Sequence, residues 1–470
     1  VCVCIGVLAA GGVARAETPS AENLYRRGVA LVTEGRVDEA QKAFEAAVAA
    51  DPSHLQALFS LGVLHDRQGQ LAEAESAYRR TVKVEPAFAR GWVNLGSVLA
   101  RLGRTAEAEE AFREAIAQDP YMAEAHLNLG AVAANQGKLD EAIASLERAI
   151  EIKPTLTEAY VNLGTAYAAK AQWDKALEEY DRAAAIEPNR GRIHFHRGRA
   201  LAHLGRHDEA SLANRRALEL NPRNAAAANN LGLALRRLGE MDKAMAAYQR
   251  ALAIDPTYAD AAYNLAVAYE HNDEGVRYGP GYRTEKAIST YRRALTINPD
   301  DVEARYNLAV NLIKSRRYEE ALQSTEAVLA QKPDHTKALI NRGVALFGLK
   351  RYDEAVADLR AALARDSRHA KAYVNLGIVY GEMGRRAEEL RAYKRAVALE
   401  PSLAGAHLNL GAALAHAGRL EEAVTALKKA VAHNPKLADA HFNLSVVYNR
   451  LGFVREADKE EQLYRVLVNR

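Results

Sequence analysis

Only two cysteines occur in 470 residues, and both, Cys2 and Cys4, fall at the very start. The rest of the chain can therefore carry neither a disulfide framework nor a thiol nucleophile. An excess of one charge is also missing. Lys and Arg number 63 against 60 Asp and Glu, a formal net charge of +3 with the two signs interspersed, which makes no electrostatic case for nucleic acid. Aromatic residues are sparse at 7%, leaving most packing to Ala and Leu. The longest apolar run, residues 1–16, is too short to span a bilayer. There is no nucleophile elbow, no glycine-rich phosphate loop ahead of a lysine, and no Cys or His set at metal-ligand spacing. His194, His196, His203 and His207 cluster in the sequence, but two residues apart on a helix His194 and His196 face different sides. The expectation is a non-enzymatic chain without metal or cofactor.

Proline is scarce but regular. Pro52, Pro86, Pro120, Pro154, Pro188, Pro222 and Pro256 follow at 34-residue steps; Pro299 comes 43 later, then Pro333, and after Ser367 the series resumes at Pro401 and Pro435. The stretch 123–156 shows what repeats. Leu127, Leu129 and Val132 interleave with small residues. After Asn135-Gln136-Gly137-Lys138, Leu139, Ala142, Ile143, Leu146, Ala149 and Ile150 recur at three- and four-residue spacing. Both halves read as helices with one buried stripe. Gly137 suits the end of the first helix, and Pro154 closes the second. A small residue inside the first helix (Gly130 here, Gly in nine other copies, and Ala266, Ala309 and Ser445 in the rest) implies close packing, since Gly there costs about 1 kcal/mol relative to Ala. Such a hairpin must stack on copies of itself. Units begin at 21, 55, 89, 123, 157, 191, 225, 259, 302, 336, 370, 404 and 438 and run to 470.

This 34-residue pattern, with Trp92-Val93-Asn94-Leu95-Gly96, the second-helix alanines Ala40, Ala74, Ala108, Ala142 and Ala176, and the closing proline, resembles the tetratricopeptide repeat. The resemblance implies an all-α, right-handed α-solenoid superhelix of about thirteen hairpins whose first helices line a concave groove. It also implies protein or extended-peptide partners. A chaperone-type carboxylate clamp would need Lys just before the ladder position described next, and none of the units has one.

One polar position recurs in the first helices: Asn94, Asn128, Asn162, Asn230, Asn264, Asn307, Asn341, Asn375, Asn409 and Asn443. An amide donates and accepts, so a row of them can hold a peptide backbone without reading sequence. The row is similar to the ladder in the repeat region of protein O-linked N-acetylglucosamine transferases, which would make this chain a scaffold or the substrate-recruiting accessory of a separate enzyme. The alternative is that the amides tie neighbouring repeats together. Phe59, Val93, Val161, Tyr263, Tyr306, Val374 and Phe442 precede the ladder position; further along the same helices come Arg67, Arg101, Arg237, Lys314 and Arg450, with His203, His271 and His416. The basic residues suit an acidic partner, or simply a helix C-terminus. Arg27, Arg197 and Arg342 replace the Leu before the small residue; Asp358 is placed to neutralise Arg342, while the other two have no acid at the equivalent place.

Three segments depart from the repeat. Residues 1–16, ending Ala14-Arg15-Ala16, read as the apolar region of an export signal with cleavage before Glu17, its basic start missing. The expected location is periplasmic or secreted, the alternative cytoplasmic. Residues 270–283, EHNDEGVRYGPGYR, form an inserted loop, either a docking loop bearing Tyr278 and Tyr282 or a tolerated lengthening. In the last unit Asp458 and Glu461 replace apolar residues, as a terminal repeat requires. Oligomeric state is not legible.

Overall fold

The structure, a computed structural model, describes residues 20–272 and 276–468. Residues 1–16, expected to form an export signal, and both cysteines lie outside the described residues. Among those described there are 26 α-helices and no strand; one isolated bridge joins His271 and Arg277. The helices form thirteen consecutive pairs, called here repeats 1 to 13, whose first helices begin at Ala21, Leu55, Ala89, Ala123, Thr157, Gly191, Ala225, Ala259, Val302, Thr336, Ala370, Ala404 and Ala438. The chain divides into two compact units, Val1–Asn230 and Leu231–Arg470. Within each, helices pack in chain order, first against second and second against the next first.

Turn chemistry sets the hairpins. In repeat 1 (Ala21–Thr33 and Val37–Ala50) the Gly35 N–H donates to Val32 O at 3.1 Å and the Arg36 N–H to Leu31 O at 2.9 Å. This glycine-terminated double bond satisfies the last carbonyls of the first helix. Gly35 has φ +76°, and the same place is left-handed in every repeat but repeat 8, even where it is Ala171, Arg316 or Lys350. At the other end, the residue before each proline leaves the helical region, as Asp51 does at φ −139°, ψ 101°.

The small residue of the first helix is explained by a ring. A Cβ on Gly164 would lie 2.7 Å from Cε1 of Tyr180, which is almost wholly buried. Phe44, Tyr78, Phe112, Tyr248 and Tyr393 occupy the same second-helix position against Gly28, Gly62, Gly96, Gly232 and Gly377; Leu146, Leu359 and Leu427 do so in three repeats. The close contact is thus glycine against side chain, and the buried alanines beside it, such as Ala142 and Ala176, let the helices approach.

The fourth residue of the first helix makes a second recurrent contact. Trp92, His126, Tyr160, His194, His407 and His441 each reach the carbonyl of the proline six residues earlier, at 2.8–3.2 Å, and Arg305 does the same with Pro299. A ring N–H, phenol or guanidinium thus closes the link between repeats, and His194 is one of this set.

Two arginine substitutions resolve differently. Arg342 grips Asp358 with two bonds of 2.6 Å inside its own hairpin. Arg197, expected to lack an acid, pairs with Asp181 at 2.5 Å, contributed by the second helix of the preceding repeat. Looking only at the paired helix missed it. Arg27 contributes to holding the nearby Glu39 carboxyl below its ordinary range, after Arg36.

Candidate peptide-binding face

Successive first helices pack directly on one another from repeat 3 to repeat 6 and from repeat 9 to repeat 13, as Ala89–Arg101 does on Ala123–Asn135 and Ala370–Glu382 on Ala404–His416; no pair of second helices among the described residues packs as closely. The first helices therefore form the tighter side of each stack, and the ladder lies on them.

In the first unit Asn94, Asn128, Asn162 and Asn230 are all half-buried; in the second, Asn307 is buried and Asn264, Asn341, Asn375, Asn409 and Asn443 are half-buried. Each ladder residue follows the ring position of the preceding second helix by sixteen residues, and where that ring is a tyrosine the two can meet. Asn94 Nδ2 donates to the Tyr78 hydroxyl at 3.2 Å. Burial pushes that phenol up to about 12, so it stays neutral and available. Asn307 Nδ2 instead donates to the Tyr263 hydroxyl at 3.1 Å, in the first helix of the preceding repeat. One such anchor orients an amide and leaves part of its donor and acceptor capacity unused.

Repeat 6 carries His196 at the ladder position. The ring stacks on Tyr180, with centroids 5.4 Å apart and planes 22° apart. Burial, then the charges of Arg199 and Arg192, lower its pKa to about 4. It continues the row as a neutral imidazole, a member missed by reading the row as asparagine alone; its place sixteen residues after Tyr180 was the available signal.

The residues before the ladder position do not share one environment. Val93 and Val161 are buried and belong to the core; Phe59, Tyr263, Tyr306 and Val374 are half-buried; Phe442 is exposed. The basic positions are largely engaged by neighbouring residues. Arg101 pairs with Asp66 of the preceding first helix, and Arg450 donates to the Ala415 carbonyl at 2.8 Å. Lys314 Nζ lies 4.6 Å from the centre of the Tyr278 ring, within cation–π range. His203 stacks on Trp173 at 3.8 Å, and His271 bonds the Val267 carbonyl. Arg67, Arg237 and His416 are exposed. His194, His196 and His203 are engaged separately, and no group of three potential metal ligands occurs among the described residues.

The inserted segment folds back on its own hairpin (Ala259–Tyr269 and Thr284–Ile297) around a carboxylate. Glu270 is fully buried. Its Oε1 accepts from the Tyr278 hydroxyl at 3.0 Å, the Tyr291 hydroxyl at 2.9 Å and Asn311 Nδ2 at 2.7 Å; its Oε2 meets Arg277 at 2.6 Å. Burial, then the Glu270 charge, raises both tyrosines well above the ordinary phenol range, which keeps them donors. Tyr278 is thus an internal ligand of Glu270, stacked edge-on against Tyr282 at 5.5 Å. Of the described residues of the segment, Glu270, Asn272 and Gly279 are buried while Val276, Arg277, Pro280 and Gly281 are exposed.

Stacked helical hairpins with a recurrent small-residue contact and a polar row on the first helices define a helical repeat protein. Family models described as tetratricopeptide repeat match residues 25–83, 64–123, 93–156, 133–197, 191–224, 282–342, 336–369 and 370–403, and one described as TPR repeat matches 232–273 and 413–452. The chain belongs to the tetratricopeptide repeat (TPR) family. No curated protein matches it. Among solved structures it is similar to YrrB, a TPR protein with an unusual peptide-binding site, at 27% identity over 42% of this chain and 96% of that one, with a TM-score of 0.36. It is also similar to the APC/C hetero-tetramer Cut9–Hcn1 (13% identity, 92% of this chain and 96% of that one, TM-score 0.45) and to pilF of Pseudomonas aeruginosa (20%, 44% and 94%, TM-score 0.40). Among the described residues no helix is long and apolar enough to cross a membrane.

Proposed function

We propose that this protein is a non-enzymatic scaffold that binds extended peptide segments of other proteins along the first-helix face. The observation that carries the reading is the ladder: ten amides at one helical position, nine of them half-buried and none fully exposed. A half-buried amide is oriented by its surroundings yet reachable, which suits it to pair with the N–H and C=O of a strand-like ligand. The apolar residues 1–16 support export, which cell fractionation with an antibody to the chain tests; retention in the cytoplasm would remove export and leave the binding reading untouched.

The binding reading is tested by panning a displayed random-peptide library against the Glu17–Arg470 chain. Selected peptides should bind the Asn128→Ala, Asn162→Ala, Asn230→Ala triple variant about tenfold or more weakly, as loss of several oriented hydrogen bonds requires, with helicity by circular dichroism preserved. Peptides that bind both equally, or no selected peptides at all, would overturn it.

A further inference from the structure

In most repeats a large ring fills the space beneath the ladder position. In repeat 10 (Thr336–Gly348 and Tyr352–Arg365) that place is held by Leu359, which is smaller and has no hydroxyl to offer the amide sixteen residues on, Asn375. A cavity of about 190 Å³ lies beside it. Gly343, Leu359 and Val379 are buried within its lining; Tyr318, Val344, Phe347, Asn375 and Ile378 are half-buried around it. Apart from Tyr318, on the second helix of repeat 9, the half-buried residues belong to the first helices of repeats 10 and 11, so the cavity is bordered by the ladder face.

We infer that this cavity is a side-chain subsite of the peptide-binding face, taking one leucine- or phenylalanine-sized apolar residue of a bound segment while Asn375 holds the backbone beside it. This inference rests on the reading proposed above and adds to it a residue class at one position. Three features argue for that occupant. The volume exceeds that of an apolar cavity of about 150 Å³ known to take up benzene. The lining of this cavity is mostly apolar, with side-chain polar groups only on Asn375 and Tyr318, so a charged group would lose its water with few replacement bonds. And Asn375, a member of the ladder, lines the cavity itself. The contrast with Tyr78 is internal to the fold: there the phenol both fills the space and takes a hydrogen bond from Asn94 at 3.2 Å.

Leu359→Tyr tests this directly, because tyrosine is the native residue at the equivalent place in five other repeats. Peptides selected on the unaltered chain should share a required Leu, Ile, Met or Phe. Replacing that residue by Ala should weaken binding about tenfold to hundredfold. In the Leu359→Tyr variant the parent peptides should bind as weakly as the Ala peptides, and the preference should vanish. Ile378→Phe, which fills the cavity from its half-buried side, should give the same loss if the tyrosine variant does not fold. Selected peptides that bind both variants unchanged, with the same preference, overturn the subsite while leaving the ladder reading intact. Failure to select any peptide overturns both.

Discussion

Repeats 5 and 8 close the same helix pair in contrasting ways. In repeat 5 the turn is residues 170–172, and its second residue, Ala171, is held at φ +56°, a conformation costing an L-residue about 1 kcal/mol. In repeat 8 the connection is residues 270–283, folded around a buried carboxylate with four side-chain donors. One hairpin tolerates local strain because the packing of Gly164 on Tyr180 dictates where the chain must turn. The other replaces the short turn with a small polar core. Hairpin geometry is therefore set by helix contact, and a turn can vary freely so long as its buried groups are satisfied.

The contrast can be broken from the repeat 8 side by Glu270→Ala. The Tyr291 hydroxyl and the Asn311 amide would lose their shared buried acceptor, so the substitution should cost about 3 kcal/mol. Urea unfolding, with hydrogen exchange to localise the loss to repeats 8 and 9, measures it; an unchanged midpoint would mean the network does not hold the loop. From the repeat 5 side, Gly164→Leu drives a side chain into Tyr180 and should cost about 2 kcal/mol through overpacking. A neutral result would show that the ring moves aside and that helix contact does not set the hairpin.

A pH titration sharpens the comparison through Tyr180. The unfolded chain protonates His196 near 6.5, whereas the folded protein, with the ring buried against Tyr180 and facing Arg199 and Arg192, does so only near 4. Between those values the unfolded state binds more protons, so stability should fall as pH drops through that window, by at most about 1.4 kcal/mol per pH unit. His196→Asn, restoring the ladder residue, should flatten that part of the profile; an identical slope in both proteins would assign the effect to other groups. The smallest effect is Ala171→Gly, which relieves the left-handed turn and should stabilise by about 0.5–1 kcal/mol. Destabilisation would show that backbone freedom gained in the unfolded chain outweighs the strain.

Much of the fold was legible because a repeat multiplies weak signals. Gly137 or Pro154 alone marks a possible helix end; the same residues in register along the chain mark the stacked hairpins that the structure contains. The ladder was legible as a position for the same reason. Its environment was not. That Asn94 meets Tyr78 depends on a residue sixteen places earlier in the preceding second helix, and that Asn375 borders a cavity depends on residues of four helices. His196 escaped notice because a different side chain took the same role, and Arg197 because its acid comes from the repeat before.

The sequence by itself determined the all-α class, the period, the helix faces and the place of the small residue, since these follow from local backbone preference and apolar spacing. Only the tertiary structure decided how the non-repeating residues behave. Glu270 lies in a run of Gly, Pro and charged residues that looks like an exposed loop, yet it is fully buried because Arg277, Tyr278, Tyr291 and Asn311 converge on it. Whether a charge can be buried depends on donors brought together in space, and chain order carries little record of that convergence.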